Sequence, residues 1–253
     1  MKKFISLLLI AGFFISMSVA ASTKNTKAFE AGMSLAAIAG VGITNPRQLF
    51  QSLKTEFGDG RIITPAELRA EAPLINGTSD YLFSFYKTIG EGVLERKLKF
   101  QDAFRAFKLG IFLMAEPGAV PGIATLQTYP NPVVFPDEAG ALQTSHLEHV
   151  YNGHLSLKVG DTTYIDDLPV SDCRVVNTAQ KSAGTANSEK HSNDGYMELI
   201  GHIHLKGNEN QDLRLTVPAH AAQRVQSAAA GAGAYIVKVV CVLRGFKITG
   251  AGK

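Results

Sequence analysis

From about residue 76 onward, apolar and polar side chains alternate in short runs separated by turn residues, which is the pattern of half-buried strands. The strongest run is 234–248: Tyr235, Val237, Val239, Cys241 and Leu243 share one face, and Ile236, Val240 and Val242 the other. It predicts a central strand covered on both sides, with Lys238 and Arg244 interrupting only the second face. Weaker runs predict strands at 81–86, 93–98, 170–176, 196–205 and 213–217. The run 104–114 is apolar enough for a buried helix, but Gly110 in its middle favours a strand. Asn152-Gly153, between 145–151 and 154–159, predicts a hairpin that continues through Gly160-Asp161 into 162–165 as a three-strand meander. A polar stretch, 178–195, predicts an exposed loop, and 218–234 an Ala/Gly connection with a short helix over 221–229.

Before residue 76 the period changes. Asn45-Pro46-Arg47-Gln48 offers a cap, a first-turn proline and a glutamine that can bond back, predicting a helix over 46–57 with Leu49, Phe50, Leu53 and Phe57 on one side. Thr64-Pro65-Ala66-Glu67 repeats the device and predicts a second helix over 65–72, stopped by Pro73. Residues 44–75 therefore read as a helical pair, and 76–250 as one mainly β domain, a jelly-roll-like antiparallel β-sandwich. Residues 22–43, rich in Ala and Gly, read as a flexible arm. Residues 1–21 have a basic start, an apolar run from Phe4 to Val19 and small residues at 18–22, the form of a signal peptide or a retained membrane anchor.

Composition narrows the picture little. The 253 residues carry a net charge of +3, with Lys and Arg scattered, so no sequence-specific nucleic-acid groove is expected. A DNA-reading helix pair is disfavoured as well, because the second helix would offer Arg69 beside two phosphate-repelling glutamates. Cys173 and Cys241 either close a loop of about 70 residues, worth roughly 4 kcal/mol on the entropic model, or stay as two buried thiols.

Candidate chemistry centres on His202-Ile203-His204. Two imidazoles on one strand face stand about 7 Å apart, a chelating spacing, and Glu209 follows as in the first metal motif of cupins. A third ligand would have to come from His149, His154, His220 or Glu209. Glu198 would lie about 13 Å from His202, too far to share an ion. The competing reading makes His202 and His204 part of a hydrated polar face, with no metal and no cofactor. A second group, His146, Glu148, His149 and His154, is divided between faces, and no serine elbow or phosphate-cradling glycine loop occurs. A non-enzymatic protein is therefore expected.

The order Ile62-Ile63-Thr64-Pro65, Asn76-Gly77 before an aromatic strand, Leu126-Gln-Thr-Tyr-Pro-Asn131, Leu147-Glu-His-Val-Tyr-Asn-Gly153 with Leu155 and Val159-Gly160, and Leu243-Arg-Gly-Phe-Lys-Ile248 resembles jelly-roll virion proteins of small bacteriophages and related uncultured viruses. The resemblance spans 44–250 and implies a capsid subunit located in a virion, whose partners are copies of itself. The export-type N-terminus departs from that family. Either it contacts a membrane during assembly, or the chain is a secreted or periplasmic ligand-binding sandwich, or a cupin-like metalloenzyme, that shares only the fold.

Overall fold

The computed structural model describes residues 46–58, 60–86, 95–117, 122, 124–132, 134–135, 144–176, 195–218, 224–226 and 235–251. The signal or anchor at 1–21, the arm at 22–43, the loop at 178–194 and most of the helix expected over 221–229 lie outside them.

Among the described residues eight strands carry the fold: β1 (Ile63–Pro73), β2 (Asp80–Phe83), β3 (Ala103–Pro117), β4 (His154–Val159), β5 (Thr162–Pro169), β6 (Tyr196–Lys206), β7 (Gln211–Thr216) and β8 (Tyr235–Ile248). They form two four-stranded sheets in the orders β1-β8-β3-β6 and β2-β7-β4-β5, with every pairing antiparallel. This is the winding of an eight-stranded jelly roll, in which successive strands mostly change sheets.

The expected central strand is β8, flanked by β1 and β3 along nearly its whole length. Val237, Val239, Cys241 and Leu243 point between the sheets, where they meet Phe104, Ile111, Leu155 and Leu213 in the main core. On the outer face Val240 and Val242 pack with Phe112, Met114 and Leu126 in a smaller apolar cluster. A bulge at Phe107 changes which face of β3 looks inward, so Phe104 and Ala106 before it and Leu109 and Ile111 after it all reach the main core.

The helix α1 (Pro46–Phe57) buries Leu49 and Leu53, as its spacing predicts. It lies on the outer face of the β8-containing sheet, where Phe50 meets Phe246 with ring centres 5.6 Å apart and Glu56 takes a two-pronged ion pair from Arg105 at 2.8 and 2.9 Å.

Four expectations are corrected. The second helix of the pair is β1: Ala66, Leu68, Ala70 and Ala72 turn inward while Glu67, Arg69 and Glu71 turn outward, a period of two that sheet pairing with β8 favours over the local capping signal. Pro65 fits because β1 ends its sheet. The sandwich accordingly begins at Ile63 rather than 76, and no helical pair forms. Residues 145–151 are helical, as α2 (Thr144–Leu147) followed by a 3₁₀ turn (Glu148–Val150), so Asn152-Gly153 closes a helical turn instead of a hairpin. Leu147, Val150 and Tyr151, three and four residues apart, are all buried, and that spacing outweighs the turn dipeptide. The meander thus has two strands, β4 and β5. Val170–Cys173 is a second 3₁₀ turn that buries its first and last residues, and residues 96 and 98 make only isolated bridges.

Candidate functional site

The two lateral edges of the sandwich differ. At one, Arg96 exchanges backbone hydrogen bonds with Arg69 of β1 at 2.8 and 3.0 Å, and the Leu98 N–H donates to Phe85 just beyond β2 at 2.6 Å, so a crossing segment closes the edge. At the other, β5 ends one sheet and β6 the other. Between them lies a cleft of about 450 Å³.

Local sequence shapes this cleft. Between the pairs Ala106↔Ile203 and Lys108↔Glu198, β6 spends more residues than β3, and Gly201 in this bulge has φ +86°, a left-handed conformation that favours glycine. The bulge brings His202 to the cleft wall. Leu168, Met197, Leu199 and Ile203 form an apolar floor, and exposed Asp166, Asp167, Asp172 and Glu198 line it with Tyr164. Asp167 meets His154 Nδ1 at 2.7 Å, and Glu198 meets Lys108 at 3.6 Å. Exposed carboxylates around an apolar floor suit a partner that presents positive and apolar groups together. In the sequence, 162–165 reads only as a meander strand, and the signal for the acidic rim is Asp166-Asp167 directly after that run.

The three metal candidates have separate surroundings. His202 lines the cleft. His204 lies under α1, edge-on to the Phe57 ring at 6.0 Å, and forms one cross-sheet row with Arg105 and Phe246. Glu209, in the β6–β7 turn, is held by Lys206 at 2.7 Å. Among the described residues, no three His, Cys, Asp or Glu side chains are grouped to hold a metal ion. Of the other possible ligands, His154 is paired with Asp167, the His149 ring is tilted against that of His146 with centres 6.2 Å apart, and His220 lies outside the described residues. The hydrated-face expectation is corrected at His204, because α1 covers that part of the sheet.

Burial, followed by the Arg105 and Lys206 charges, lowers the His204 pKa from 6.5 to about 4. Burial and Arg105 lower His202 as well. Below pH 6.5 the unfolded chain takes up a proton at residue 204 that the folded chain refuses. The contribution is therefore present above pH 6.5 and is lost as pH falls toward 4. A shift of this size, discounted for partial exposure, corresponds to roughly 2 kcal/mol. His204→Phe, which keeps a ring against Phe57, is expected to flatten this segment of a stability-against-pH curve measured by urea unfolding. An unchanged slope would show that the segment belongs to other groups.

Cys173 and Cys241 are buried free thiols. Burial pushes Cys173 up to about 12 and Cys241 well above its ordinary value, so neither is a thiolate near neutral pH.

Compared with known proteins, the chain matches no protein-family model and has no significant match among curated proteins.

Proposed function

We propose that this chain is a structural, non-enzymatic subunit that assembles with copies of itself into a shell, as the virion proteins it resembles do. The strand order β1-β8-β3-β6 over β2-β7-β4-β5 is a winding used by viral capsid proteins and also by lectins and cupins, and the observation that carries this reading is the apolar surface at both ends of the sandwich. Fold does not choose among these uses. The surface favours assembly: Ile62 and Phe100 are exposed at one end of the sandwich, and Ile75 and Ile236 at the other, where Leu74 bonds to Val237. Apolar side chains left in water at both ends suit contacts between copies. The subunit would then sit in a virion.

The cleft favours a second reading, a secreted or periplasmic ligand-binding sandwich, since Tyr164 is 40 % exposed beside several carboxylates. Light scattering coupled to size-exclusion chromatography, together with electron microscopy of the purified chain, separates the two. Assembly predicts a mass that rises with concentration, and visible closed particles. A monomer at every concentration would leave the ligand-binding reading standing.

A further inference from the structure

The two most exposed large apolar side chains among the described residues are Phe100, at 68 %, and Ile62, at 65 %. They share one end of the sandwich. The Thr249 N–H donates to the Ile62 carbonyl, Gly250 N–H to the Asp102 carboxylate, and Asp102 N–H to the Lys99 carbonyl, so a short chain of hydrogen bonds joins the two. Each has an exposed cation as its neighbour in sequence, Arg61 beside Ile62 and Lys99 beside Phe100. The Arg61 guanidinium is steadied by donating to the Gly250 carbonyl at 2.6 Å. This end therefore offers two apolar side chains flanked by two positive charges, on backbone held by the last turn of β8.

The β5–β6 cleft has the opposite character, apolar below and negative at its rim. It lies on the lateral edge of the sandwich, whereas the Ile62–Phe100 end lies where β1 begins and β8 finishes. Two different patches that complement each other on one chain make a head-to-side contact. Where no two-fold axis makes it reciprocal, such a head-to-side contact propagates into rings, shells or filaments according to the angle it imposes.

We propose that the β5–β6 cleft of one copy receives the Arg61–Ile62 and Lys99–Phe100 end of the next, with Phe100 on the apolar floor and the two cations facing Asp166 and Asp172. This rests on the self-assembly reading and deepens it by naming the contact. Charge complementarity selects the occupant, since an uncharged ligand would leave the acidic rim unanswered.

The test uses charge reversal in the full chain. Arg61→Glu with Lys99→Glu, and separately Asp166→Lys with Asp172→Lys, are each expected to raise the concentration needed for assembly at least tenfold, read by light scattering at low salt. All four positions are exposed, and circular dichroism checks that each variant keeps its strand content. Mixing the two variants is expected to restore assembly, because the reversed end of one then fits the reversed cleft of the other. Phe100→Ser, which leaves all charges in place, is expected to weaken assembly without that rescue. Assembly unchanged in both reversed variants would overturn the contact while leaving self-assembly intact. Loss in the cleft variant alone would mean that the cleft takes another partner, and would overturn it too. A wild-type chain that stays monomeric would remove both this contact and the function on which it rests.

Discussion

Gly245→Ala is expected to destabilise the fold by about 3–4 kcal/mol in denaturant unfolding. Gly245 lies in the central strand beside the β3 bulge, and a Cβ there would stand 2.0 Å from the Arg105 carbonyl oxygen and 2.8 Å from its carbon. Both are backbone atoms of a paired strand, so they cannot rotate aside as a side-chain tip would. Relief requires separating β3 from β8, which also disturbs the Arg105 ion pair that ties α1 to the sheet. Gly60→Ala is the control: nothing lies within 4 Å of its Cβ position, and its effect should stay within about 0.5 kcal/mol. Similar small losses for both variants would show that the bulge relaxes freely.

Lys238→Met is expected to cost a comparable amount, about 3–5 kcal/mol. Lys238 joins Glu71, at 3.0 Å, to Glu116 on the outer face of the sheet, and the two carboxylate side chains are only 5 % and 8 % exposed. Without the ammonium, Glu71 would keep Arg69 at 2.9 Å, while Glu116 would keep only the Gly122 N–H and the more distant Arg69 charge, so a nearly buried carboxylate would lose its direct ion-pair partner. Burial acts to raise the Glu116 pKa, but the hydrogen bonds from Lys238 and Gly122 and the nearby positive charges outweigh it and hold it below 4.5. A depressed carboxylate stabilises the fold above its unfolded pKa, and that contribution disappears as pH falls through the folded value. The gap between wild type and Lys238→Met should therefore narrow below about pH 4.5. A gap that stays constant with pH would assign the loss to packing of the lysine stem instead.

The sandwich was legible in the sequence wherever a strand had its own alternation or a covered pair of faces. β8 announced itself by apolar residues on both faces, and β7 by Leu213, Leu215 and Val217 between polar residues. β1 was hidden by a local signal that was chemically sound: Thr-Pro-Ala-Glu is a good helix start, and the partner that overrides it lies about 175 residues away in sequence, as in Leu68↔Leu243. Asn152-Gly153 misled for a similar reason, since a turn dipeptide does not say which elements it joins. The cleft was the least legible feature. It depends on which strands end the two sheets, and that follows from strand order rather than from any motif. The His202-x-His204 spacing was visible, but α1, which covers part of His204, belongs to a stretch whose sequence reads as a separate helical unit.

The position of β8 also sets a timetable. The other seven strands of the described residues precede it in the chain, yet β1 and β3 share no backbone pairing and are joined into one sheet only through it. During synthesis that sheet has an empty central lane until about residue 248 has emerged, and both lane edges expose unpaired backbone groups in the meantime. Closure then demands pairings as distant as Ile63↔Ile248, so folding should be slow and late, as for other chains rich in long-range contacts. This interval is when neighbouring chains are most able to capture each other's open lanes, and a holding chaperone would be of most use then.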